Sequence, residues 1–197
     1  NIDESKGFET TLELTDGLSY DKGYISPYML EDDTKTSIEL ESPYIMVTDM
    51  KISAIQDILP VLEHIVEERK PLFIIADDIE QDAVSTIVLN KLRGAFNVVA
   101  TKAPEFGDNQ KNILQDIATL TGAKFYSKDL AMELKDMQIE DLGRAGKVIV
   151  TKDYEEASQK AAEIMLDVIK NKPNANLGLA TGSTPIRLYE LMREDHK

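Results

Sequence analysis

The sequence predicts an α/β protein, and two observations carry that prediction. Short apolar runs of strand length alternate with longer segments whose apolar residues recur at helical spacing across residues 70–126. The clearest run, residues 71–76, ends at Asp77-Asp78 and is typical of a buried parallel strand. Strands that are joined through helices favour right-handed crossovers. With 42% hydrophobic residues, the 197-residue chain can bury a sizeable core.

The first part of the chain contains three strand-like segments. Residues 10–14 alternate mildly between apolar and polar side chains, as in a strand that leads into a sheet. Residues 23–30 are apolar and aromatic but contain Pro27, which favours an edge strand or an irregular crossing. Residues 38–48 predict a strand that Pro43 interrupts.

Residues 51–68 begin a series of predicted helices. Their apolar residues lie on one helical face, and Pro60 should kink or restart the helix one turn later. Further helices are predicted at residues 81–92, 109–121 and 154–170, and from Pro185 to about Arg193. Gly94 and Gly122 are placed to end two of them, and Asp153 is placed to cap a third. Strands are predicted at residues 96–101, 124–126, 147–151 and 177–181.

The composition excludes several classes of protein. There is no Cys, which removes disulfide scaffolds, thiol nucleophiles and Cys-based zinc sites, and two His leave little for a His-built metal site. The 36 acidic residues against 22 basic ones give a net charge of −14, which argues against nucleic acid as a partner. Without a long apolar run or a signal-peptide pattern, we expect no membrane association and a cytoplasmic location. The start at Asn1, without Met, indicates a piece of a longer or processed protein.

Two consecutive predicted helices carry more apolar surface than one sheet-facing stripe needs. In residues 51–68, Leu59 and Leu62 flank the main apolar face, and in residues 81–92 the apolar side chains fall on more than one side. The pattern alone favours core positions for all of them. The alternative is a groove between two helices that accepts an extended or helical peptide through apolar contact.

The segment from Tyr24 to Met29 combines aromatic residues and methionine around a proline. Such a segment suits a deformable contact surface, because methionine and tyrosine adapt to many partners. The alternative is an ordinary edge strand with buried tyrosines, which the pattern alone favours.

Gly182, Ser183 and Thr184 form a loop between a predicted strand and a helix that begins near Pro185. Free backbone N–H groups at a helix N-terminus attract anions, and the two hydroxyls add donors, so a sugar phosphate would suit the loop. The alternative is a hydroxyl-capped turn that binds no ligand.

Residues 1 to about 150 resemble the apical domain of a group I chaperonin, the GroEL family. The resemblance rests on consecutive blocks in the family's order: DKGYISPY (21–28), ELESPY (39–44), KIS (51–53), LPVLE (59–63), KAPEFGD (102–108) and LQDIATLTG (114–122). It implies a swivelling β/β/α domain over residues 1–146 that binds non-native polypeptides and a co-chaperonin of the GroES type.

The resemblance also implies which residues bind. Carried over position by position, they are Tyr24, Ser26, Tyr28, Met29, Leu59, Leu62, Val84, Val88, Leu89 and Asn90. Met29 stands where the family usually has Phe and stays apolar, so binding should survive. Glu105 stands where the family usually has Gly, which puts the backbone of that loop in question. With this resemblance, the surplus apolar edge is expected to be binding surface rather than core.

The family is an ATP- and magnesium-dependent folding machine of heptameric rings, and its nucleotide site lies in another domain. We therefore expect no ATP hydrolysis, no catalytic residue, no cofactor and no metal in this chain. We expect the chain by itself to be a monomer or a weak oligomer. The negative net charge should keep an exposed apolar groove in solution and, as a hypothesis, bias capture toward less acidic chains.

Residues 147–197 resemble instead the N-terminus of glucosamine-6-phosphate deaminase. The resemblance rests on residues 147–150, 157–169 and 177–185 and implies a β-α-β-α segment whose phosphate-binding residues are Gly182, Ser183 and Thr184. The catalytic carboxylates and His of that family lie beyond Lys197, so these residues cannot form a complete deaminase. The junction falls within about residues 144–153. A sugar-phosphate deaminase is therefore the alternative function, and an inert scaffold is a third.

Overall fold

The computed structural model describes Leu18, Tyr20 and residues 22–30, 37–172, 177–179 and 185–195. This part of the chain is mixed α/β, as predicted, and divides into two compact units. One unit is Lys22–Lys152, and the other combines Asn1–Asp21 with Asp153–Lys197. The predicted strand at residues 10–14 and the predicted phosphate loop at residues 182–184 lie outside the described residues.

The described residues form eight strands, all in the larger unit, and five α-helices, of which the last two lie in the smaller unit. The strands are β1 (Ser37–Glu41), β2 (Tyr44–Val47), β3 (Lys51–Ile52), β4 (Leu72–Ala76), β5 (Asp78–Ile79), β6 (Val98–Lys102), β7 (Gly143–Arg144) and β8 (Lys147–Thr151). The helices are α1 (Leu59–Glu68), α2 (Gln81–Leu92), α3 (Gly107–Thr121), α4 (Tyr154–Asn171) and α5 (Ile186–Asp195).

The central sheet has the strand order β6-β4-β2-β7. β2, β4 and β6 are parallel, with Met46 opposite Ile74 and Ile74 opposite Ala100, while β7 runs antiparallel to β2. Every residue of β2 and β4 is buried. An apolar run that is buried on both faces is what a parallel sheet covered by helices requires, so the buried strand predicted at residues 71–76 is confirmed.

A second, two-stranded sheet pairs β1 with β8 in antiparallel register, with Ser37 opposite Thr151. Pro43 separates β1 from β2, as predicted, and Ser42 before it adopts a positive φ of 49°. Since β8 pairs with β1, the compact unit runs to Lys152. The boundary between residues 146 and 147 separates the chaperonin-like range from the deaminase-like range, and it stays a prediction from the sequence.

The helix predicted from residue 51 begins only at Leu59. The preceding residues form β3 and a 3-10 helix, Ile55–Ile58, whose start is held by Asp57 Oδ2, which accepts 3.0 Å hydrogen bonds from the N–H groups of Ser53 and Ala54. The cause is Pro60, because a proline ring clashes with the carbonyl four residues earlier and is tolerated only in the first helical turn.

The other helices match their predictions closely. α2 has the predicted bounds, α3 ends at Gly122 with a φ of 72°, and Asp153 caps α4 by accepting a 3.1 Å hydrogen bond from the N–H of Glu156. In the smaller unit, Arg187 of α5 donates to both carboxylate oxygens of Glu155 in α4, which joins the two helices.

Two short predicted strands are wrong or incomplete. Residues 124–126 contribute a single bridge, Thr48 to Tyr126, and residues 177–179 have no regular structure. The segment around Pro27 forms a 3-10 helix, Pro27–Met29, beside the edge strand β6, which agrees with the predicted irregular crossing.

A polar cluster within the segment that follows α3 joins Lys124 and Tyr126 to residues 138–141. Tyr126 donates a 2.7 Å hydrogen bond to Asp141 Oδ2, which also accepts from the N–H of Gln138, and Lys124 Nζ lies 3.4 Å from Oδ1. Burial acts to raise the pKa of Asp141, but the hydrogen bonds and the nearby ammonium outweigh it and hold that pKa below its usual range.

The first prediction concerns Gly23, because the backbone of Thr151 and Lys152 leaves no room for a side chain at this position. A Cβ at Gly23 would lie 2.1 Å from the carbonyl oxygen of Lys152 and 2.6 Å from that of Thr151, both backbone atoms. We expect Gly23→Ala to lower the free energy of unfolding by about 1–3 kcal/mol, measured by urea denaturation. Gly146→Ala is the control, since a Cβ there meets nothing within 4 Å. Equal losses in both variants would contradict the close approach.

Asp141 generates the second prediction. A carboxyl whose pKa is lowered by folding stabilises the protein above its unfolded pKa of 3.8, and that stabilisation is lost as the pH falls through the folded value. Asp141→Asn should therefore cost about 1 kcal/mol at pH 7, and the difference from wild type should shrink below about pH 4. Urea midpoints at several pH values measure this. Asp116→Asn, on the exposed side of α3, should leave them unchanged. A difference that grows toward low pH would refute the assignment.

Candidate functional site

The predicted binding residues lie on three segments that the sheet brings together. The first is the aromatic segment, which is held to the edge of the sheet because the N–H of Ile25 donates a 3.1 Å hydrogen bond to the carbonyl of Ala100 in β6. The second and third are α1 and α2, which connect β2 to β4 and β4 to β6. Right-handed crossovers between successive parallel strands place both helices on the same face of the sheet.

Burial divides the ten predicted residues into three groups. The exposed ones are Tyr28 (72% exposed), Leu59 (44%) and Leu89. Tyr24, Ser26, Val88 and Asn90 are half-buried. Met29, Leu62 and Val84 are buried in the core. The role of each residue in binding stays a prediction, and only the first two groups present side-chain surface directly to a ligand.

A cavity of about 770 Å³ lies between the Tyr28 turn and the carboxyl-terminal ends of α1 and α2, and it is called the groove below. Its apolar wall is formed by Tyr28, Leu30, Ile65, Val66, Leu92 and Phe96. Leu92 is 68% exposed, and Val66 is also exposed. A groove with an apolar wall that faces solvent can bind side chains from another polypeptide.

Most of this wall was not among the predicted binding residues, which supply only Tyr28 to it. Val66 and Leu92 belong to the apolar positions of the two helices, so helical spacing carries a signal for them. Helical spacing could not identify Val66 and Leu92 as exposed. It shows on which side of a helix a residue lies, but not whether neighbouring segments bury that residue.

The rest of the wall is polar and basic, with Arg69, Lys70, Lys91 and Asn97. Lys70 lies 3.5 Å from Glu68 Oε2, and the same oxygen accepts a 2.6 Å hydrogen bond from the hydroxyl of Tyr44. That hydrogen bond, more than Lys70, holds the pKa of Glu68 below its usual range, so Glu68 stays ionised beside the groove. Lys91 donates a hydrogen bond to Asn97 Oδ1.

In the loop before α3, Glu105 adopts a backbone conformation that favours glycine. Glu105 has a φ of +58°, in the left-handed region, and its carbonyl accepts a 3.2 Å hydrogen bond from Gln110 Nε2. A non-glycine residue there costs on the order of 1 kcal/mol. The departure from the family's Gly therefore leaves the turn in place, with Phe106 beside it 83% exposed.

The described residues hold no cluster of three or more His, Asp or Glu side chains that could bind a metal ion. None of the helices in the described ranges is long and apolar enough to span a membrane.

Comparison with known proteins bears on the larger unit. No family model matches the chain. Over 153 residues, which is 78% of the chain, it is 63% identical to the chaperonin GroEL of Acholeplasma laidlawii (strain PG-8A). The alignment covers 28% of that relative, so the chain spans less than a third of the length of the curated protein it matches. At this identity over this length, the matched 153 residues are a segment homologous to chaperonin GroEL.

Proposed function

We propose that the Lys22–Lys152 unit is the polypeptide-binding domain of a chaperonin, equivalent to the family's apical domain. One observation carries the proposal. The aromatic segment, α1 and α2 each expose large apolar side chains, among them Tyr28, Leu59, Val66 and Leu92, and all three segments border the groove. The similarity to chaperonin GroEL supports the same conclusion independently of the geometry.

The chemistry of this surface suits chains that have not folded. Non-native polypeptides expose apolar side chains that their native states bury. Full burial of one large apolar side chain contributes about 1.5–3 kcal/mol, so a few half-exposed contacts together give measurable affinity. Apolar contact is not directional, and the surface therefore tolerates many sequences.

We extend the proposal to the whole protein on the basis of the resemblance to group I chaperonins. There, the same surface receives a co-chaperonin of the GroES type, the subunits form heptameric rings, and ATP with magnesium drives the cycle from another domain. A cytoplasmic location belongs to this proposal. For the residues of this chain we propose binding alone, without ATP hydrolysis and without a cofactor or metal.

The alternative function, a glucosamine-6-phosphate deaminase, is favoured by no observation in the described part of the chain. Its proposed phosphate-binding residues, 182–184, lie outside the described ranges, and β8, which begins the deaminase-like range, pairs with β1 of the larger unit. The similarity to chaperonin GroEL lends this alternative no support. It stays a prediction from sequence resemblance.

Substitution on the exposed surface of α1 and α2, the two helices that border the groove, tests the proposal. Leu59→Glu and Val88→Glu place a charge on the binding surface and should each weaken binding of a reduced, alkylated, permanently unfolded protein by about tenfold or more, measured by fluorescence anisotropy. Both side chains are partly exposed, so the fold should survive, and circular dichroism checks this.

The matched control is Leu120→Glu on α3. Leu120 is 46% exposed, close to the 44% of Leu59, but lies on a helix that does not border the groove. We expect its variant to bind within about twofold of wild type. Unchanged binding in both test variants, or equal loss in all three, would overturn the assignment of this surface.

A further inference from the structure

The helix pair of the smaller unit buries few side chains. Among the described residues of α4 and α5, Ser158 and Ala162 alone are buried. Both lie on the side of α4 that α5 covers, because Glu155, at helical spacing from them, accepts a 2.9 Å hydrogen bond from Arg187 Nε of α5. Two helices with so small a core gain stability when a further surface packs on them.

A second apolar side of α4 lies next to the covered one. Its residues follow one another at steps of four, three and four, and they are called the α4 stripe below: Ala157, Ala161, Ile164 and Val168. Ile164 is 46% exposed and Val168 is 38% exposed. Alternating steps of four and three are the spacing of a seam between two packed helices. The α4 stripe therefore has the pattern needed to pack against another helix.

The order of side-chain sizes along the α4 stripe indicates what that helix is. The first two residues are alanines, and the last two, Ile164 and Val168, are larger and β-branched. When a second copy of the stripe runs antiparallel, Ala157 lies opposite that copy's Val168, and Ala161 lies opposite its Ile164. Each layer then pairs one small residue with one large residue. A parallel copy would place alanine on alanine and leave space unfilled.

Charges beside the α4 stripe fit the same arrangement. Lys160 and Asp167 lie on the flank away from α5, each one residue before a member of the stripe. In an antiparallel pair, Lys160 of each copy faces Asp167 of the other, so the two-fold symmetry gives two ion pairs. Lys160 also lies 3.8 Å from Glu163 of its own helix. An ammonium group has three donors and can serve carboxylates of both copies.

We propose that the α4 stripe is a self-association site, at which two copies of this chain pair through antiparallel α4 helices. The inference does not depend on the proposed function, because no residue of α4 lines the groove. The stripe spans 12 residues, Ala157 to Val168, which is about 18 Å of helix. An interface of this size is small, so we expect a weak dimer with a Kd on the order of 0.1 mM.

Sedimentation equilibrium of the full 197-residue chain, from about 10 µM to about 1 mM, tests the inference. At about 0.15 M salt, long-range repulsion between the negatively charged copies is largely screened. Ile164→Glu should weaken the dimer about tenfold or more, and circular dichroism checks that α4 still forms. Asp167→Lys should weaken it about threefold, and adding Lys160→Asp should restore it. A general loss of helix stability would not be restored by the second substitution.

The matched control is Leu59→Glu on α1. Leu59 is 44% exposed, close to Ile164, but lies outside the smaller unit, so this variant should dimerise as wild type does. If Leu59→Glu abolishes the dimer and Ile164→Glu does not, the copies pair through the exposed surface of α1 and the inference is overturned. It is also overturned if the wild-type chain stays monomeric up to about 1 mM.

Crosslinking tests the orientation, since the chain contains no Cys. The variants Ala157→Cys and Val168→Cys, one of them carrying a size tag, are mixed and treated with a short bis-maleimide. We expect crosslinks between the two variants and few within either, because an antiparallel pair keeps like positions about 16 Å apart along the helix axis. Crosslinks mainly within each variant would indicate parallel helices and would contradict the antiparallel pair.

Discussion

Strand β4 is the constraint on which the rest of the larger unit depends. All five of its residues, Leu72–Ala76, are buried, and it hydrogen-bonds in parallel to β2 on one side and to β6 on the other. Parallel neighbours cannot be joined by a tight turn, so each connection must cross a face of the sheet. β2, β4 and β6 follow one another across the sheet in chain order, and right-handed crossovers therefore bring α1 and α2 to one face. The two helices border a common groove for this reason.

The same arrangement imposes two demands on each helix. One side must cover the sheet, and Ile65 in α1 and Ile87 in α2 are almost fully buried there. The other side leaves Leu59, Leu89 and their neighbours in water, which invites self-association. A chain with 29% charged residues and a large net charge resists that association, because like-charged copies repel one another. Acidity and an exposed apolar surface are thus compatible on one molecule.

The sequence predicted secondary-structure elements better than it predicted the burial of individual side chains. α2 and β4 follow from local patterns, since helical spacing over 12 residues and a short apolar run can be recognised without knowledge of distant residues. The start of α1 was missed because the apolar spacing continues through residues where Pro60 forbids a helix. Leu62 is buried and Leu59 is exposed although both flank the same face, and that difference depends on which neighbours the fold supplies. The basic residues of the groove escaped prediction because Arg69 and Lys91 line one cavity only after both helices pack on the sheet.

The pairing of β1 with β8, together with the close approach of Gly23 to Lys152, has a further consequence. The N–H of Tyr24 donates a 3.3 Å hydrogen bond to the carbonyl of Thr151, so the chain enters and leaves the larger unit at adjacent backbone positions. A domain whose two ends emerge side by side can be hosted in a surface loop of another protein without stretching either partner. Within the described residues, the strands and the lining of the groove all come from Lys22–Lys152. A change in the sequence that follows Lys152 therefore removes no residue from the sheets or from the groove.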